Sequence, residues 1–122
     1  MTKKTQFRLE KEGGTVVAAR VDIAASYWAR FMGLMFRESL EQGCGLVLSP
    51  CNSIHMFFMR FPIDAAFVDD DGRVVRAIDS IKPWRMTSFV RGAKSVIELP
   101  AGTLRGAGVN KGELLTLHPL EG

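Results

Sequence analysis

Hydrophobic and polar residues alternate from Gln6 to Lys11, with Phe7 and Leu9 set between Gln6, Arg8 and Glu10, and this period of two predicts a half-buried strand. Gly13 and Gly14 supply the positive φ of a tight turn, and Thr15 to Val21 returns through β-branched Thr15, Val16, Val17 and Val21, so a hairpin is expected. The period then changes. Ala24, Tyr27, Trp28, Phe31, Met32 and Met35 recur at helical spacing, which predicts a short α-helix near residues 24–36. Asp22 or Ser26 can cap its start, and Gly33 either ends it or admits another backbone closely. The Tyr, Trp, Phe and Met stripe is read as the face that seals one side of a sheet rather than as a cofactor box.

Beyond the helix the pattern is strand and turn. Gly45 to Leu48 is a short apolar run closed by Ser49 and Pro50, and Ile54 to Met59 is a longer one, apolar on both faces, ahead of Pro62. Ala65 to Asp69 and Arg73 to Ile81 flank the turn residues Asp70, Asp71 and Gly72 and predict a second hairpin, while Ser95 to Leu99 and Glu113 to Leu117 add two more strands. About eight short strands with one helix predict a mainly β fold, an antiparallel sandwich or barrel of jelly-roll-like type, rather than a βαβ fold. With 122 residues the chain is expected to be one domain over 1–122, with residues 1–5 frayed.

Composition narrows the function classes. Hydrophobic residues make up 47% and charged residues 24%, which is ordinary for a globular domain and far from the disordered range. The net charge of +3 is scattered from Lys3 to Lys111 without a basic stripe, so a nucleic-acid partner is not expected. No run reaches the ~18 apolar residues of a membrane helix, because Arg60 interrupts the richest stretch after Met59. Met1 to Lys11 lacks an apolar signal core; the chain as it stands reads as cytoplasmic, or as secreted or periplasmic if a signal has been removed. Cys44 and Cys51 are too few for a disulfide scaffold and lack CxxC spacing, so free thiols are expected. Asp69, Asp70, Asp71 and Gly72 lack the further ligands of a calcium loop, and no metal or cofactor is predicted.

The chemistry concentrates in residues 53–69, SIHMFFMRFPIDAAFVD. Arg60 and Asp64 lie inside this apolar run, where an unpaired charge is costly, so a corner near Phe61 and Pro62 is expected to bring them together or to His55, Arg85 or Glu98. Such a pair either pins the corner or forms a polar spot at the base of an apolar pocket. His55 is either a general base or an imidazole tied to a backbone carbonyl, and its spacing from Cys51 keeps a thiolate and imidazole pair geometrically open. Trp84 is a binding platform if exposed and a barrel plug if buried. Glu98, between Ile97 and Leu99, is expected to pair with Arg60 or Arg85.

The segments GLMFR at 33–37, SIHMFFMRFPIDAAFVD at 53–69, Asp71 and Gly72 followed by Val74 and Val75, Pro83 with Trp84, and IELPAG at 97–102 resemble the domain-of-unknown-function family numbered 192, in consistent order over residues ~15 to 118. The resemblance implies a small, mainly β domain of sandwich or jelly-roll type with a short helix, in a family some of whose members look secreted, and it carries over no reaction, cofactor or catalytic residue. His55, Arg60, Asp64, Trp84 and Glu98 fall within the matching segments. Three functions follow as expectations. The first is a non-catalytic module binding a small molecule or peptide through Phe58, Arg60, Asp64 and Trp84, with His55 and Glu98 as further candidates. The second is a small enzyme using Asp64 or His55 as acid or base with Arg60 as electrostatic stabiliser. The third is a protein-interaction domain.

Overall fold

A computed structural model describes residues 6–120, and the frayed segment expected at 1–5 lies outside them. The strands are β1 (Phe7–Lys11), β2 (Val16–Ala24), β3 (Cys44–Leu48), β4 (Ile63–Val68), β5 (Val74–Ile81), β6 (Ser95–Pro100) and β7 (Leu115–Pro119). Two short helices join them, α1 (Tyr27–Met32) and α2 (Thr103–Ala107). All seven strands form one sheet in the order β5-β4-β6-β3-β2-β1-β7. The sheet curls into a half-barrel. Its two edges meet at one end, where Val74 N–H donates to the Glu113 carbonyl, Gly112 N–H to Val74 and Leu115 N–H to Gly72. Gly72 is required there: a Cβ would stand 2.4 Å from the Leu115 carbonyl oxygen, and φ is +91°.

The mainly β class agrees with the alternation in the sequence, and both expected hairpins are present. Gly13 and Gly14 turn β1 into β2 at φ 97° and 94°. Asp69 Oδ1 accepts from Asp71 N–H and Arg73 N–H, which makes the acidic triplet a hairpin turn between β4 and β5. Three details depart from expectation. β2 and β3 pair in parallel, and a parallel pair needs a crossover, which α1 and the following loop provide. A βαβ unit is therefore built into an otherwise antiparallel sheet. The run Ile54 to Met59 is a loop with one isolated bridge, His55 to Met86, and α2 arises from the Gly-rich segment after β6.

The helix α1 is shorter than its stripe. Ser26 Oγ caps it by accepting from Ala29 N–H, and Gly33 ends it at φ 45°. Ala24 belongs to β2 and is buried, but Trp28 and Phe31 stand 66% and 47% exposed, so the stripe does not seal the sheet. Alternation along the strands instead creates two cores. Leu46, Leu48, Ile63, Ala65, Phe67 and Val96 face α1 and the 51–61 loop, while Val47, Ala66, Val68, Ile97 and Leu99 face α2 and Val109 on the other side.

Asp64 belongs to the second side and is fully buried. Its Oδ1 accepts from Ser80 N–H at 2.9 Å and its Oδ2 from Leu104 N–H at 2.9 Å. The expected ion pair with Arg60 does not form. Gly102, the residue before α2, has no side chain to cap that helix, so Asp64 supplies the acceptor from β4, and it also holds Ser80 at the unusual φ of 50°. Two backbone donors satisfy this carboxyl without any cation. Asp64→Asn keeps the shape but replaces one acceptor by an amide NH2, leaving Ser80 or Leu104 N–H facing a donor. The expected loss is about 2 kcal/mol, read as a lower urea midpoint at unchanged slope.

Candidate functional site

On the α1 side the loop 54–58 and the loop 84–87 are laced together by backbone hydrogen bonds: Met56 N–H to Arg85 at 2.6 Å, Trp84 N–H to Met56 at 2.7 Å and Thr87 N–H to Ile54 at 2.9 Å. Phe36 N–H reaches the Phe58 carbonyl at 3.0 Å and ties in the turn after α1. Ile54, Met56 and Met59 point into the core, anchoring the loop. The residues between them are thereby turned outward. Phe57 and Phe58 are 37% and 46% exposed, and Trp84 is 58% exposed, so the two-faced buried strand expected at 54–59 is replaced by an anchored loop that displays rings.

These rings form a continuous series. Trp28 stacks on Phe31 at 5.9 Å between centroids, Phe31 lies 5.4 Å from His55, and His55 lies 4.9 Å from Phe57. Phe57 leads to Trp84 at 6.3 Å, Trp84 to Phe58 at 4.9 Å and Phe58 to Phe36 at 5.1 Å. Of the four non-glycine residues with positive φ among those described, Phe36, Phe58 and Trp84 belong to this series. Bulky residues occupy that region only when their surroundings hold them there, and such strain concentrates at ligand-binding surfaces.

Beneath the rings is a cavity of about 40 Å³ lined by Phe31, Gly33, Cys51, His55, Met59 and Glu98, with Arg30 also in its wall. Glu98 rises from β6, in the middle of the sheet, and is 3% exposed. It pairs with neither Arg60 nor Arg85, and its Oε1 has no hydrogen-bond partner among the described residues. Burial pushes its pKa up to about 8, against a smaller opposing pull from the Arg37 guanidinium. Burial also pushes the Cys51 thiol up, partly countered by its hydrogen bond to the Ser53 carbonyl at 3.0 Å. His55 accepts from Phe57 N–H at Nδ1, 3.2 Å, and donates from Nε2 to the Phe31 carbonyl, 3.1 Å. The thiol and the imidazole are thus committed to separate backbone partners, and the Cys51 and His55 pair is not formed. Cys44 and Cys51 are both free thiols.

Of the candidates read from the sequence, the structure brings His55, Phe58 and Trp84 into the ring series and places Glu98 under it. Arg60 is on the surface, 3.9 Å from the exposed Glu38, a contact of little energetic weight. Asp64 is on the opposite face of the sheet from His55, as its α2 partner requires, which removes the acid, base and stabiliser combination of Asp64, His55 and Arg60. Trp28, Phe31, Phe36 and Phe57 were not singled out as site residues. Helical spacing assigned the first two to the core, and only their flanking Gly33 and Arg37 hinted at a short element unable to bury them.

The sequence profile of the DUF192 family, described as Uncharacterized ACR, matches residues 8–117. The chain belongs to the DUF192 family. Members similar to it include UPF0127 proteins of archaea. That of Thermococcus kodakarensis is 35% identical over 106 residues, covering 84% of this chain and 67% of the relative. The Thermococcus sibiricus protein is 36% identical over 100 residues, so that this chain spans 64% of that relative's length. The Pyrococcus furiosus protein is 32% identical over 107 residues, covering 84% of this chain and 90% of its own. The DUF192 fold recurs in two solved structures. One, described as a candidate transcription regulator from Sinorhizobium meliloti 1021, superposes with a TM-score of 0.81 at 24% identity, covering 94% of each chain. The other, a protein of unknown function from Novosphingobium aromaticivorans, gives 0.78 at 22% identity, covering 91% of this chain and 83% of its own. At these identities the likeness is one of fold. Among the described residues of this DUF192 chain no helix is long and apolar enough to cross a membrane.

The raised pKa of Glu98 makes stability depend on pH. Between its ordinary value of 4.5 and about 8 the folded state keeps a proton that the unfolded chain releases. Stability is therefore full at acid pH and falls as pH rises through this window, by up to about 1.4 kcal/mol per unit from this one group. Glu98→Gln is expected to flatten that slope, measured as the difference between parent and variant unfolding free energies across the window.

Proposed function

We propose that this domain is a non-catalytic binding module that receives an amphipathic small molecule on the ring face beside α1, with the apolar body across the rings and the polar end at the cavity. The observation that carries this reading is the unbroken exposed series from Trp28 to Phe36. Isolated exposed hydrophobic residues are ordinary, but contiguous rings held partly in strained backbone cost stability and return only part of it by burial. A ligand supplies the missing contact area, and an apolar surface with a few convergent polar groups is the usual composition of a small-molecule site. The hydrogen bonding of Cys51 and His55 favours binding over nucleophilic chemistry, since each has its polar group engaged by the backbone.

The chain contains two tryptophans, Trp28 and Trp84, and both lie in this series, so intrinsic emission reports on the face directly. Titration with benzyl alcohol, hexanoate, hexylamine and a phenylalanine-containing tetrapeptide is expected to blue-shift emission for at least one of the non-peptide compounds below about 10 mM. Phe57→Ala should weaken that compound at least about fivefold. Trp84→Gly removes a ring and a strained residue together, and is expected to weaken binding likewise while leaving stability within about 1 kcal/mol of the parent. A face that answers to none of the compounds, that answers to the tetrapeptide alone, or that keeps its affinity in both variants, overturns the reading.

A further inference from the structure

Resting on that reading, we propose that the cavity under the ring face is a receptor for a primary ammonium group, with the buried, donorless Glu98 Oε1 as its acceptor and the Phe31 and His55 rings at its wall. Glu98 is one of two buried acidic residues among those described, and only Asp64 has its hydrogen bonds made within the chain. A buried acceptor without a donor is rare in folded proteins and calls for a partner. None of the side chains lining the cavity donates to it, the Ser53 hydroxyl included. The Cys51 thiol is spent on Ser53, His55 Nε2 on Phe31, and Arg30 on the carbonyls of Pro50 at 2.6 Å and Ser26 at 3.4 Å. The space beside Oε1 admits a donor carried in by a ligand in place of water.

Size and charge select its class. A volume of about 40 Å³ accommodates a group of two or three waters' bulk, which admits an NH3⁺ head and excludes a sugar ring or a quaternary ammonium. Charge-assisted hydrogen bonds from an ammonium to a carboxylate are the strong kind, and aromatic faces attract a cation further. The charged and titratable groups around Glu98 are Arg30, Arg37, Cys51 and His55. Arg30 is held on carbonyls, Arg37 is exposed and screened by water, and the thiol is held neutral by burial. Glu98 itself carries a proton at neutral pH. Binding of R–NH3⁺ then forms an ammonium to carboxylate hydrogen bond, and the Glu98 proton leaves to solvent. A hydroxyl head would leave the proton in place, and a carboxylate head would share the proton Glu98 already carries, so release of a proton identifies the ammonium class.

The test titrates the whole chain with n-butylamine, n-butanol and butyrate by calorimetry in two buffers of different ionisation enthalpy. The expected result is butylammonium binding with release of about one proton below neutrality, and an affinity that rises nearly tenfold per pH unit from about pH 6 to about pH 7.5. Glu98→Gln is expected to lose at least tenfold for butylammonium and to lose the proton release with it. The proton count is made on the parent chain and so stands even if the variant folds poorly. Proton uptake, a pH-independent affinity, equal binding of n-butanol, or a folded Glu98→Gln chain that retains butylammonium overturns the proposal. If tryptophan emission still answers to n-butanol or butyrate in those cases, the ammonium assignment fails alone and the binding face stands; if no compound moves it, both fail.

Discussion

Asp64 joins three elements through one carboxyl group. Its position on β4, between the edge strand β5 and β6, lets its two oxygens reach the backbone of β5 on one side and the start of α2 on the other. The seating of α2 over the core around Leu99 and Leu104 draws on this arrangement, because its Gly102 cap has no side chain to accept from the first amides. Backbone donors do here what a cation was expected to do. The fold thereby satisfies the buried acid of one face from within the chain, and the other face is built differently.

That other face is built around the contrasting acid. Asp64 pairs with Leu99 and Ala65 with Glu98 in the ladder between β4 and β6, so Asp64 and Glu98 stand on adjoining strands with side chains on opposite sides. Among the described residues no helix N-terminus donates amides to Glu98. There is instead the short α1, ended by Gly33, and a loop whose buried residues Ile54, Met56 and Met59 force Phe57 and Phe58 outward. A carboxyl group whose pKa burial pushes up to about 8, beside rings exposed among the described residues, puts a local energetic deficit next to a local apolar excess. The proposed ligand, apolar along its body and hydrogen-bonding at one end, would relieve both.

How far this was legible in the chain can be followed residue by residue. The turns at Gly13 and Gly14 and at Asp69 to Gly72, the Ser26 cap and the Gly33 stop all follow from conformational preferences of a few adjacent residues, and the structure contains each of them. His55, Phe58, Trp84 and Glu98 were legible as a group because large rings and polar residues in an apolar motif invite a question about partners. Trp28 and Phe31 were misassigned to the core because helical spacing presumes a helix long enough to lie on the sheet, and a six-residue helix at a parallel crossover does not. Arg60 and Asp64 were misjudged together, since closeness along the chain says nothing about which side of a strand each side chain leaves.

By itself, then, the sequence determined the mainly β class, the hairpins and the Ser26 cap and Gly33 stop of the first helix, because these rest on short-range sterics, hydrogen bonding and the period of hydrophobic residues. Only the tertiary structure decided that Asp64 would meet the amides of Ser80 and Leu104, that Glu98 would meet no donor, and that a series of rings would face solvent. Those outcomes depend on strand order and curl. Such long-range geometry sets the partners of a buried polar group, and no local pattern encodes it.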